Sequence, residues 1–291
     1  MKRKIFMKKT LITATAVATV MSASAAYADL SLGGALARQI NSGDGTTGVS
    51  NTSTSSTINV DYTTTLNNGM GLSAKTDIVP ASGTVYLLTV SSDMGSFYTG
   101  SDFASAVDDM DGAQGAGRYS GGGRILTSAT AWNDGDSASG NGFGVSTSLA
   151  GASIKATMGA GGNRAISIAG SMNIAGATVK AGNTDFDTSG SPDHGFMTVG
   201  YSVGGFSLGW GHWDSDATSM TQIGASTSVG GMGVGVTSAS ADNGSAADTD
   251  AFGVHLSGDL GGAFWVVDYV NTDNGDGTES DDYTITFGTG F

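Results

Sequence analysis

The sequence predicts an all-β fold, a transmembrane antiparallel β-barrel, and three features carry that expectation. Apolar residues recur singly at alternate positions rather than in blocks, as in Phe143, Val145, Thr147 and Leu149, which gives a strand one apolar and one polar face. Tight turns alternate with longer connections rich in Asp, Asn, Ser and Gly, the rhythm of consecutive antiparallel strands. The segment from Asp281 to Phe291 sets Tyr283, Ile285, Phe287 and Phe291 on one parity, with Thr284, Thr286, Gly288 and Gly290 on the other. A strand so apolar on one face needs a dry environment, and both its edges need partners, which the first strand supplies if the sheet closes.

Residues 1–28 read as a cleaved secretory signal peptide. Lys2, Arg3, Lys4, Lys8 and Lys9 precede an apolar run of eleven residues, Leu11 to Met21, and then Ser24-Ala25-Ala26-Tyr27-Ala28. Ala26 and Ala28 have the spacing of an A-x-A cleavage site, and the run is well short of the ~20 residues that a spanning helix needs. Removing five of the twelve basic residues leaves seven against 26 acidic ones over residues 29–291, a net charge of −19. There is no Cys, which excludes a lipid anchor on Cys and suits passage through an oxidising compartment. The acidity argues against nucleic acid as a partner.

From residue 29 on, strand follows strand. Leu30, Leu32 and Leu36 share a parity, as do Ile58, Val60, Tyr62 and Leu66; Asn67-Asn68-Gly69 then turns the chain into Met70, Leu72 and Ala74, an Asn-Gly hairpin. Thr84 to Ser91 turns at Ser92-Asp93-Met94-Gly95 into Ser96 to Ser101. Further on the turns are very short: Ala150-Gly151-Ala152, Ala175-Gly176-Ala177, Gly204-Gly205 and Gly230-Gly231 join alternating segments, and Phe252 to Leu256 leads into Trp265, Val267 and Tyr269. Longer connections fall near 39–55, 79–83, 102–141, 160–164, 186–195, 214–220, 241–250 and 271–281, with Pro80 and Pro192 inside them. Eight long loops on one rim and seven short turns on the other require 16 strands, an even number, as a barrel with both termini on one rim demands.

Charge decides which face meets lipid. Asp61, Lys75, Asp77, Lys155, Lys180 and Asp268 sit opposite the apolar parity, and a basic residue facing lipid near midplane costs roughly 2–4 kcal/mol. The charged face is therefore the inside. Its residues are mostly short in the second half of the chain, among them Thr198, Gly200, Ser202, Ser207 and Gly209, too short to fill a wide cylinder, so water fills it. Trp210, Trp265, Tyr201, Phe206 and Phe291 fall near strand ends, as aromatic girdles do.

The connection over about 102–141 is long enough to call for a function. Phe97-Tyr98-Thr99-Gly100-Ser101-Asp102-Phe103-Ala104, followed by acidic residues, resembles the approach to the third loop of trimeric general porins, particularly those of Rhodobacter-like alphaproteobacteria, and the terminal strand is similar to the closing strand of Gram-negative outer-membrane barrels. The resemblance implies a general diffusion porin of the bacterial outer membrane, a homotrimer among lipid and lipopolysaccharide that passes small hydrophilic solutes. It implies a third loop folded into the lumen, whose acids Asp102, Asp108, Asp109 and Asp111 face a basic cluster drawn from Arg38, Lys75, Lys155 and Lys180, with Arg118 and Arg124 holding the loop in place. Net charge adds mild cation preference.

Other constellations are weaker. Asn271 to Glu279 has the flavour of a calcium loop without its ligand spacing, which allows loose Ca2+ binding and no other cofactor. His194, His212 and His255 are far apart and fit no zinc pattern. Two rivals to a channel are a barrel-borne outer-membrane hydrolase, for which no Ser/His/Asp set assembles, and a secreted Gly/Ser-rich structural or surface protein, which fixed-period repeats would mark.

Overall fold

The computed structural model describes residues 29–43, 51–79, 83–101, 106–110, 142–159, 165–186, 193–215, 218–244 and 246–290. They form a closed antiparallel barrel of 16 strands. In chain order these are β1 (Asp29–Gly43), β2 (Asn51–Thr65), β3 (Gly71–Val79), β4 (Gly83–Ser92), β5 (Gly95–Gly100), β6 (Gly142–Leu149), β7 (Ala152–Gly159), β8 (Ala165–Ile174), β9 (Ala177–Phe186), β10 (His194–Val203), β11 (Phe206–Ser215), β12 (Thr218–Val229), β13 (Met232–Asp242), β14 (Thr249–Asp259), β15 (Ala263–Asp273) and β16 (Glu279–Gly290). One short helix, α1 (Ala106–Met110), follows β5. Every strand pairs with its neighbours in sequence, and β1 pairs with β16 from Ala35 opposite Gly290 to Gly43 opposite Asp282. Closure gives every strand a partner on both sides, the condition for β-structure in hydrocarbon.

The parity expected from the sequence sorts the two faces. Leu32 (72 % exposed), Ile223 (62 %), Phe252 and Phe287 stand outward, whereas Thr184, Gln222, Thr284 and Thr286 on the alternate positions are buried inside. Ten residues of strand rise ~33 Å, and at a tilt of ~40° they span ~25 Å, the height of an outer-membrane apolar band. Several strands run further than their composition suggests. β1 continues to Gly43 and β2 begins at Asn51, inside what reads as a loop over 39–55; β13 to β16 extend likewise to Asp242, from Thr249, to Asp273 and from Glu279. Ser, Thr, Asn and Asp mark loops by propensity, but above the apolar band a barrel strand can carry polar side chains on both faces while its ladder continues.

The short turns are not all of one kind. Ala150-Gly151, Ala175-Gly176, Gly204-Gly205 and Gly230-Gly231 have both central residues at positive φ, between 51° and 85°, the two-residue hairpin whose twist matches that of the strands. The turn at Asn67-Asn68-Gly69 differs from a two-residue Asn-Gly hairpin. Only Gly69 is left-handed, at φ 83°, and Gly69 N–H donates to the Leu66 carbonyl at 2.9 Å while Leu66 N–H donates to Met70 at 2.7 Å. That is the three-residue form, in which glycine closes the loop. Pro80, Pro192 and Phe291 lie outside the described residues.

No helix among the described residues is long and apolar enough to cross a membrane. The aromatic bands are partly visible: Tyr269 and Tyr283 pack outward with ring centroids 4.9 Å apart towards the loop rim, and Trp265 lies opposite Phe287 towards the turn rim.

Candidate functional site

The site of interest is the inner wall. Its inward positions alternate with the lipid-facing ones, so each strand delivers side chains to the lumen at every second residue. Over β10 to β13 the half nearest the short turns is lined by Gly200, Ser202, Ser207, Gly209, Gly224, Ser226, Gly233 and Gly235, residues with short side chains or none. Nearer the long loops, buried apolar side chains stand among inward polar ones such as His194, Ser215, Gln222 and Thr249. Phe196, Trp213, Met220, Ala239, Ala241, Ala251 and Val270 form one buried cluster with Ala169 and with Ala106 and Val107 of α1. The sequence reading missed this track, although the pairs Phe196-Met197 and His212-Trp213 already place a large ring on the inward parity.

α1 lies against the inside of the wall. Ala106 N–H donates to Thr157 Oγ1 at 2.9 Å and Val107 N–H to Ser167 Oγ at 3.0 Å. Thr157 and Ser167 occupy the inward parity of β7 and β8, beside outward Met158, Ile166 and Ile168. Ser167 Oγ also accepts from Thr184 Oγ1 on β9 at 3.0 Å. The first N–H groups of a helix have no intrahelical partner, and these two hydroxyls satisfy them where water is excluded.

The basic residues fall in three situations. Lys155 on β7 points inward, 9 % exposed, with its Nζ 5.1 Å from the centroid of the Tyr98 ring on β5. That ring lies flat over Gly144, where an added Cβ would meet it at 2.5 Å, so the ammonium has a fixed cation–π seat. Lys180 points inward, half-buried, on β9. Lys75, inward on β3, bonds Asp77 Oδ2 at 2.8 Å and stands opposite Asp61 of β2.

Arg38 is a correction. It shares the parity of Leu30, Leu32 and Leu36, is exposed, and pairs with outward Phe287, so it stands outside the barrel and takes no part in a basic cluster within it. Its place near the assumed end of the first strand obscured this, because β1 in fact continues five residues beyond it. Lys155 and Lys180 sit on β7 and β9, two of the strands on which α1 packs. Asp102, Asp111, Arg118 and Arg124 lie outside the described residues; Asp108 and Asp109 fall in α1, where their backbone alone is described.

Across the lumen the wall is anionic. Asp268 on β15 is 2 % exposed and accepts from His255 Nδ1 on β14 at 2.7 Å; its second oxygen is buried with no hydrogen-bond partner. Asp282 of β16 and Asp61 of β2 share the inward parity. From β10 through β16 and on to β2, no inward Lys or Arg occurs among the described residues.

His194 packs edge-on against Phe186 at 5.4 Å inside the wall. His212 faces outward, stacked on Trp210 at 6.3 Å and hydrogen-bonded to Thr221 at 2.9 Å.

Among the described residues no group of three or more His, Cys, Asp or Glu side chains could hold a metal. The turn from Asp273 to Thr278 engages its own acids: Asp273 Oδ1 accepts from Gly275 N–H at 2.9 Å, and Asp276 Oδ1 from Thr278 N–H at 2.9 Å and Thr278 Oγ1 at 2.5 Å. The Thr278 hydroxyl and then its N–H hold the Asp276 carboxyl below its ordinary range.

Comparison with known proteins agrees with this geometry. No curated protein matches the chain in sequence. Similar solved structures include a loop-deleted OmpT, an outer membrane protein of Vibrio cholerae, at TM-score 0.70 and 14 % identity over 91 % of this chain and all of that one. A trimer form of OmpT gives 0.66 at 15 % identity over 91 % and 100 %, and a mutant of the Rh. blastica porin gives 0.66 at 18 % over 91 % and 100 %. At such identities these likenesses speak for the fold. A profile of the Gram-negative porins matches residues 13–290; the chain belongs to that family, and its place is the bacterial outer membrane.

Proposed function

We propose that the protein is a general diffusion porin: a passive, water-filled channel for small hydrophilic solutes and ions, assembled as a homotrimer, with mild cation preference. The observation that carries this reading is the closed ring of 16 strands with an apolar skin and a polar inner wall. Such a wall needs hydrocarbon outside and solvent inside. The trimer rests on kinship with porins, one structural neighbour being a trimer form. Residues 1–28 act as the export signal and leave a chain of net charge −19, whose field attracts cations.

The segment over 102–141 narrows the bore. Two features support this: α1 is hydrogen-bonded to inward Thr157 and Ser167, and the apolar track beyond it, out to Ala241 and Val270, is buried on the inside of the barrel. The reading is of passive permeation, without a chemical step. The test is single-channel conductance in planar bilayers, for the intact chain and for one lacking residues 102–123. Discrete ohmic steps that grow on deletion are expected. A silent intact protein, or steps that the deletion leaves unchanged, would refute the channel or the narrowing respectively.

A further inference from the structure

We infer that Asp268, held by His255, is a selectivity-determining residue of this channel, and that the barrel wall itself supplies both charged poles between which solutes pass. The inference rests on the channel reading above. It differs in assigning the negative pole to β15 rather than to the acids of the long loop.

In a closed order of 16 strands, β7 and β15 are eight apart in either direction, so they face each other across the diameter. Lys155 of β7 and Asp268 of β15 both occupy inward positions, with neither residue at a strand end. Lys180 of β9 adds to the first pole; Asp282 of β16, next to Asp268 around the ring, adds to the second.

The directly opposed inward neighbours of Asp268 are His255 on β14 and Thr284 on β16, and His255 in turn stands opposite Gly235 on β13. None of these strands brings in a Lys or Arg. The carboxylate is 2 % exposed with one oxygen unpartnered. A charge so enclosed is weakly screened by salt and acts through the low-dielectric wall on whatever fills the bore beside it. The hydrogen bond at 2.7 Å from His255 Nδ1 fixes its direction, and the His255 ring is the more exposed member, its side chain 23 % open against 3 %. The opposing Lys155 is likewise held, over Tyr98. Two immobile charges of opposite sign give a fixed field with no conformational cost at the moment of passage.

The test is the reversal potential across an about tenfold KCl gradient, read at low and at about 1 M ionic strength. For D268N the cation-to-anion permeability ratio is expected to fall by about twofold or more and to stay lower at high salt, since the wall charge is enclosed. K155M is expected to raise the ratio, D268E to retain it, H255Q to hold it closer to wild type than H255L does, and Arg38→Gln, outside the barrel, to leave it unchanged. His255 is a positioning residue, and the split between H255Q and H255L reads that role where loss of bulk alone would not. Should D268N fail to give folded oligomers, K155M and the two His255 variants measure the same axis. A conducting D268N or K155M channel with an unaltered ratio overturns the inference and leaves the porin reading standing, whereas a wild-type protein that forms no channel overturns both.

Discussion

Ala150 and Ala175 are the two non-glycine residues held at positive φ among the described residues, 52° and 51°, each the first of a two-residue turn. A Cβ in that region clashes with the following carbonyl and costs about 1–2 kcal/mol. Asn tolerates the conformation better, and, unlike Gly, it does not loosen the unfolded chain. Ala150→Asn is therefore expected to stabilise the barrel by about 0.5–1 kcal/mol, read as a higher urea midpoint for unfolding from lipid vesicles; a lower midpoint would contradict the turn geometry. At this scale much was legible. Lys75, Lys155, Lys180, Asp61 and Asp268 were placed inward by parity alone, because one charge among alternating apolar residues identifies the wet face. Arg38 was equally legible, two residues from Leu36 on the same parity, yet position near a supposed strand end outweighed the count. The His255–Asp268 bond was not legible, since pairing across β14 and β15 needs the register that the turn at Leu260 to Gly262 sets.

At the scale of the element, the strand plan followed from alternation and from glycine at the turns, while strand ends did not, because Ser and Asn serve equally in loops and in ladders above the apolar band. α1 was missed altogether. Its five residues, Ala106–Met110, are too few for a helical period to emerge, and its stability comes from where it docks. Ser167 is the centre of that docking: it accepts from Val107 N–H and from Thr184 Oγ1, and Thr184 is itself fully buried. Ser167→Ala leaves an N–H and a hydroxyl in the wall without an acceptor, at about 1–3 kcal/mol for each such group. The barrel has its whole ladder to hold it, so the cost falls on the helix. Open-channel current noise is expected to rise, and trypsin or proteinase K to cut the segment between β5 and β6 sooner, with the heat-modifiable gel mobility of the barrel unchanged. Unaltered noise and cleavage would mean that the helix is held by something other than these bonds.

For the whole molecule the governing quantity is charge around a closed ring. Residues 29–291 carry a net charge of −19. Much of it stands in exposed positions on strands and turns near the long loops, such as Asp242, Asp250, Asp273, Asp276 and Glu279, while Asp268 is enclosed in the wall. Exposed charge acts over a Debye length, which shrinks from ~10 Å at 0.1 M to ~3 Å at 1 M salt. A rim field of that kind concentrates cations at the mouth in dilute electrolyte and fades in concentrated electrolyte; an enclosed carboxylate opposite a seated lysine does not fade in the same way. The wild-type cation-to-anion permeability ratio should therefore exceed one at low salt, fall as salt is raised, and level off above one rather than reach it. A titration of reversal potential against KCl concentration separates the two contributions: the sloping part belongs to the rim and the plateau to the wall. Anion preference in dilute salt would contradict the charge argument at its root, and a ratio that declines all the way to unity would assign the selectivity to the rim alone.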